Sequence, residues 1–135
     1  MEKKMKHLEM IQNIISRMAN NSFLIKGWCI VLVSALFALN VGEKNDALIY
    51  LPLLPLVSFW VLDGYFLWQE RLYRKLYNKV KDLIDESDID FDMNAYVFKD
   101  STKSWLETTF SLTLNIFYIT LLASIIIIIL LMKYY

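Results

Sequence analysis

Three apolar blocks constrain this chain more than anything else in it. Leu24–Val41, Ala47–Trp68 and Trp105–Met132 are each close to the length a helix needs to cross bilayer hydrocarbon. Their apolar residues come in runs, which argues for spanning helices and against a β-barrel, whose strands alternate. The chain has 135 residues, 57% of them hydrophobic, with only 3 Gly and 2 Pro. Such a chain is expected to form one all-α membrane domain with three spans.

The first span, residues 24–41, is the shortest. Its core, Gly27–Val41, reaches spanning length only with Leu24 and Ile25, so that Lys26 would snorkel to the headgroups and Trp28 sit near the interface. Gly27, Ser34 and Ala38 share one face, with Ala35 adjacent, and small residues let helices approach closely in lipid. Gly42–Asp46 reads as a short polar turn, so the first two spans are expected to form an antiparallel hairpin. Pro52 and Pro55 are expected to bend the outer half of the second span, residues 47–68. Leu72, Tyr73, Leu76, Tyr77, Val80, Leu83 and Ile84 then keep helical spacing beyond Trp68. The second helix should therefore run on into the cytoplasm, over residues 69–86. Unbroken from Ala47 to Ile84 it would be about 57 Å long, roughly 27 Å more than the bilayer core.

Residues 1–22 read as an amphipathic cytoplasmic helix. Met1, Met5, Leu8, Ile11, Ile15 and Met18 recur at spacings of three and four. Asn20, Asn21 and Ser22 offer a stop and a new N-cap. This helix would pack on the protein's own cytoplasmic helices or lie among headgroups. The polar lead and the lack of a small-residue cleavage site argue against a cleaved secretory signal. Residues 87–104 form an acidic cytoplasmic loop. Asp88-x-Asp90-x-Asp92 has the spacing of a calcium loop, but Met93 stands where Gly is needed and Lys99 where a bidentate acid is needed. A solvated loop is the better reading. Phe91, Tyr96, Val97 and Phe98 suggest that part of it folds back. The third span is read as one helix, residues 105–132, anchored outside by Lys133, Tyr134 and Tyr135.

Charge sets the expected orientation. Residues 1–81 carry eleven Lys/Arg against six Asp/Glu, and residues 82–110 carry eight acids against two bases. Lys3, Lys4, Lys6 and Arg17 precede the first span and Lys26 lies at its start, and Arg71, Arg74, Lys75, Lys79 and Lys81 follow the second. The loop between them has only Lys44. The positive-inside rule predicts an inner-membrane protein with its N-terminus in the cytoplasm and its C-terminus outside.

Asp63 is the first functional candidate, because a carboxylate in a span must face protein or water. Two readings stand open. It could pair with Lys26 or hydrogen-bond Asn115 or a Thr of the third span, or it could face a shared axis and favour cations. Glu70 and Arg74 share its face and can pair with each other. In the third span Thr109, Thr113, Thr120 and Ser124 fall within about 60° on a helical wheel. Thr108, Ser111 and Asn115 form a second stripe. Such residues are either interhelical glue or the lining of a narrow wet pore. The aliphatic run Ile125–Ile129 beyond them would contact lipid or act as a dewetting gate. Three spans enclose little, so a homo-oligomer is expected, with a tetramer as the working number.

The basic face Arg71, Arg74, Lys75, Lys79 and Lys81 would contact headgroups or a phosphate chain, with Tyr73 or Tyr77 available for stacking. A lone His7 and a lone Cys29 supply neither a metal site nor an acid–base pair. No enzyme activity, cofactor or metal is expected.

HLEMIQNIISRMANNSFLIKGW (His7–Trp28) and FWVLDGYFLWQERLYRKLYNKV (Phe59–Val80) together resemble the membrane effectors of bacterial anti-phage defence loci of the Hailong type, which are encoded beside nucleotidyltransferases. The resemblance covers about the first two-thirds of the chain and is a pattern of aromatic and charged residues, not a catalytic motif. It implies an oligomeric, channel-like effector that depolarises the infected cell, controlled by a nucleotidyltransferase partner and its oligonucleotide product. It carries no binding residue across. The alternatives are a scaffolding membrane protein without conductance and a holin-like lysis protein.

Overall fold

The computed structural model describes residues 2–41 and 47–134. The expected turn Gly42–Asp46, with Lys44, and the terminal Met1 and Tyr135 lie outside the described residues. The fold is all-α: α1 (Glu2–Asn40), α2 (Leu53–Lys81), the short α3 (Trp105–Thr109) and α4 (Leu112–Tyr134). Short 3₁₀ segments occur at Leu48–Tyr50, Glu86–Asp88 and Ala95–Ser101. The stretches Glu2–Asn40, Leu48–Lys81 and Leu112–Tyr134 are long and apolar enough to cross a membrane.

α1 is one unbroken helix of 39 residues, about 58 Å long. Asn20, Asn21 and Ser22 do not end it, contrary to the expected division into helices 1–22 and 24–41. Their propensity cost is a fraction of a kcal/mol each. Continuing the helix keeps two apolar stripes, Ile11/Ile15 and Cys29/Val33/Phe37, in line along the rod. At the prolines the second span changes from a 3₁₀ segment, Leu48–Tyr50, to the α-helix α2. Pro52 immediately precedes α2 and Pro55 lies in its first turn, where backbone N–H groups have no intrahelical acceptor to lose. The prolines therefore set where the helix begins, at Leu53 rather than Ala47. α2 stops at Lys81 after 29 residues, short of the expected Ile84, which is left 97% exposed.

α1 and α2 run antiparallel and in steady register. Lys4 Nζ donates to the Leu83 carbonyl at 2.8 Å near one end, and Lys26 meets Asp63 midway. Two apolar cores hold them. At the level of the spans, Cys29, Val33 and Phe37 of α1 share a core with Leu56 of α2 and with Leu114, Tyr118, Ile125 and Ile129 of α4. Nearer the N-terminus of α1, Ile11 and Ile15 share a second core with Leu72, Leu76 and Val80. This second core makes a stalk beyond the apolar windows. Met5, on the same expected stripe, is exposed.

Residues 82–104 fold back over the stalk, burying Ile89 and Ala95, with Phe98 packed against them. Val97 stays exposed. The acids of this loop organise its own backbone. Asp85, Asp90, Asp92 and Asn94 each accept the backbone N–H two residues on, at 2.9–3.1 Å. Donation from the Ser87 and Asp92 amides holds the Asp85 and Asp90 carboxyls below the usual carboxylate range. Between two of these turns Phe91 takes φ 56°, a left-handed conformation unfavourable for an aromatic residue. It sets the ring 5.5 Å from that of His7, whose Nε2 hydrogen-bonds the Asp92 carbonyl at 2.9 Å.

The third span is not the single helix expected over 105–132. Ser104 caps α3 by accepting the Glu107 amide at 3.2 Å, and the helix ends at Thr109. α4 begins afresh at Leu112. The break resets the helical phase, with consequences for the polar stripes.

Candidate functional site

The feature that joins all three spanning helices is Asp63. Its side chain is 0% exposed. The carboxylate accepts from three directions. Lys26 Nζ of α1 lies 2.6 Å from Oδ2, the Ser22 hydroxyl of α1 donates to Oδ1, and the Tyr118 hydroxyl of α4 donates to Oδ2 at 2.9 Å. Lys26 also donates to Ser22 Oγ at 2.8 Å, one helical turn away, and its ammonium lies 5.8 Å from the centre of the Phe117 ring. Lys26 is 23% exposed, so the pair is open on the lysine's side only. A buried carboxylate with an ammonium and two hydroxyl donors is neutral as a cluster and well satisfied. A cation could reach Asp63 only by displacing the Lys26 ammonium.

Aromatic packing fixes this clasp. Trp60, one turn before Asp63, stacks on Tyr118 with centroids 5.5 Å apart and planes 8° apart. Its Nε1 donates to the Thr109 carbonyl at 2.8 Å. Gly64 faces Thr109 so closely that a Cβ there would lie 2.9 Å from the Thr109 Cα. Only glycine allows α2 and α3 to approach in this way. The Thr109 hydroxyl turns back to the Trp105 carbonyl at 2.9 Å.

The expected stripe of the third span is therefore divided. Thr109 is buried against Gly64, whereas Thr113, Thr120 and Ser124 are exposed on α4. Thr120 and Ser124 donate to carbonyls one turn back, at 2.6 and 3.0 Å. Thr120 and Ser124, with Phe117, Leu121 and Ile30 of α1, line a shallow groove of about 380 Å³. Asn115 donates Nδ2 to the Phe110 carbonyl at 2.8 Å. Neither it nor a threonine reaches Asp63. The small residues Gly27, Ser34 and Ala38 of α1 are exposed too, and no atom lies within 4 Å of where a Gly27 Cβ would be.

The basic face also divides. Arg74 pairs with Glu70 at 2.8 Å, and Lys75 donates to the Ser101 carbonyl. Lys79 and Lys81 are exposed. Arg71, Arg74 and Lys75 line a hollow of about 430 Å³ with Asn78, Thr102 and Lys103. Lys103 is a contributor that a one-helix reading missed, because the loop brings it to α2 from a distance in sequence.

Tyr118 and Ser22 were also missed as partners of Asp63. Ser22 reads as a helix cap in the sequence, and Tyr118 as one more apolar residue. A signal existed for Tyr118: a tyrosine deep in an apolar span needs a partner for its hydroxyl. No protein-family model matches the chain, and neither the curated proteins nor the solved structures include a significant match.

Proposed function

We propose that this chain is one subunit of a homo-oligomeric, ion-conducting effector of the bacterial inner membrane, with its N-terminus in the cytoplasm and its C-terminus outside. In this reading the stalk is cytoplasmic. The oligomer, a tetramer as working number, stays shut until a nucleotidyltransferase or its oligonucleotide product acts on the basic stalk. Opening depolarises the membrane, as in anti-phage defence. The protein does this as a conduit, without catalysis.

One observation carries the reading: the hydroxyl edge of α4, Thr113, Thr120 and Ser124, faces away from the chain's own core. A neighbouring copy docked along the α1–α4 groove would place equivalent edges around a common axis. Thr120 and Ser124 satisfy themselves on their own helix, so a closed, dry arrangement costs little. Those hydroxyls also suit a wet path when it opens. The exposed small face of α1 supports close approach of another helix. Asp63 enters as a latch, since release of Lys26 would expose a carboxylate to the path.

A second reading, a scaffolding protein without conductance, is favoured by the Lys26–Asp63 pair itself, which serves packing without any pore. The discriminating experiment is expression in bacteria loaded with a membrane-potential dye. The effector reading expects triggered wild-type protein to collapse the potential and Thr120→Leu to blunt the collapse. An intact potential with the protein present in the membrane would leave the scaffold.

A further inference from the structure

The hollow on α2 has a neighbour that gives it a second meaning. Arg71, Arg74, Lys75 and Lys103 converge on it, and only Arg74 has an ion-pair partner among the described residues. Thr102, which also lines it, has a buried Oγ1 with no hydrogen-bond partner. The chain then passes from Lys103 to Ser104 into an apolar groove of about 430 Å³, lined by Val61, Ser104, Trp105, Leu106, Thr109 and Phe110. Hollow and groove adjoin through Lys103 and Ser104 in the chain, and taken together they make a strip that is cationic at one end and almost wholly apolar at the other.

The aromatic side chains locate the junction. Trp68 and Trp105 stack 6.4 Å apart with planes 8° apart, and Tyr65 meets both edge-on. Trp and Tyr gather at the boundary between hydrocarbon and headgroups. Arg71 lies one turn past Trp68, about 4.5 Å by helix rise, within a headgroup layer roughly 5–7 Å deep. Val61 lies ten residues before Arg71, about 15 Å toward the bilayer centre. With Trp68 at the boundary, Val61 then lies about 10 Å into a hydrocarbon leaflet about 15 Å thick.

We propose that this strip is a site for one anionic phospholipid of the leaflet on the basic side. Its phosphate would sit between Arg71, Lys75 and Lys103, and one acyl chain in the groove beside Trp105. The guanidinium supplies paired donors for phosphate oxygens. The inference needs membrane insertion but not conduction, so it stands or falls separately from the channel reading.

The test is native mass spectrometry of the full chain released from vesicles of phosphatidylcholine and phosphatidylglycerol. Wild type should retain phosphatidylglycerol in preference to phosphatidylcholine. Arg71→Gln with Lys103→Gln should cut that preference by about fivefold per charge removed. Lys79→Gln with Lys81→Gln removes as much charge outside the hollow and should leave it unchanged. Filling the groove with Val61→Trp should lower retention of both lipids. Equal loss in the two charge pairs, or no preference in wild type, overturns the proposal. So does displacement of the lipid by a short oligonucleotide or inorganic phosphate at micromolar concentration, which would assign the hollow to a soluble phosphate.

Discussion

Removing Lys26 should damage this protein far more than neutralising its partner. Asp63 is 0% exposed and Lys26 is 23% exposed. In Lys26→Met the carboxylate stays buried with only the Ser22 and Tyr118 hydroxyls for company. Breaking a buried pair in this way costs about 3–5 kcal/mol. In Asp63→Asn the side chain keeps both hydroxyl contacts, and the freed lysine can swing toward the headgroups. That change should cost only about 1–2 kcal/mol. Once Asp63 is neutral, losing Lys26 as well should add about 1 kcal/mol. The double-mutant cycle therefore predicts a coupling of about 2–4 kcal/mol. Stability can be followed by helicity during detergent-driven unfolding in mixed micelles. Additive single effects, within about 0.5 kcal/mol, would refute the reasoning, because they would mean the pair does not hold the spans together.

Other expectations follow from the same contacts. Gly64→Ala should destabilise by about 1–3 kcal/mol, and Thr109→Ala should not rescue it, since the clash includes the Thr109 Cα; thermal unfolding in micelles reads both. Leu76→Ala, in the stalk core, should cost about 2–5 kcal/mol and raise hydrogen exchange in residues 89–98. Acid should loosen the folded-back loop. The Asp85 and Asp90 carboxyls are lowered in the folded state, so their contribution is complete above the unfolded value of about 3.9. It is lost as pH falls through the lower folded values. Exchange protection of the Ser87 and Asp92 amides, corrected for intrinsic rate, should be flat from about pH 7 to 5 and fall below about pH 4.

The parts of this structure legible in the sequence are those governed by hydropathy. Three apolar blocks became three helices, and Glu70 with Arg74 paired one turn apart. Lys26 is a partner for Asp63 that the sequence itself offers, and its ammonium lies 2.6 Å from the carboxylate. What the sequence hid depends on contacts between distant segments. Asn20–Ser22 carries local signals for a helix end, yet packing on α2 above and below that point outweighs them. The polar stripe of the third span assumed one helical phase. The break between Thr109 and Leu112 turned Thr109 inward and left Thr113, Thr120 and Ser124 facing out. The acidic loop read as solvated charge, and Asp85, Asp90 and Asp92 are exposed; their caps on the loop's own backbone are the added feature. Lys103 joined the basic hollow only because residues 82–104 return to the stalk.

The proposed oligomer requires that the Thr113 and Thr120 face of α4 meet another copy of the chain. With Cys29→Ala as background, Thr113→Cys, Thr120→Cys and Val57→Cys can each be oxidised in native membranes. The predicted result is cross-linked pairs from Thr113→Cys and Thr120→Cys and none from Val57→Cys, which is exposed on α2. Cross-links from Val57→Cys alone, or none from any position in membrane-inserted protein, would contradict it.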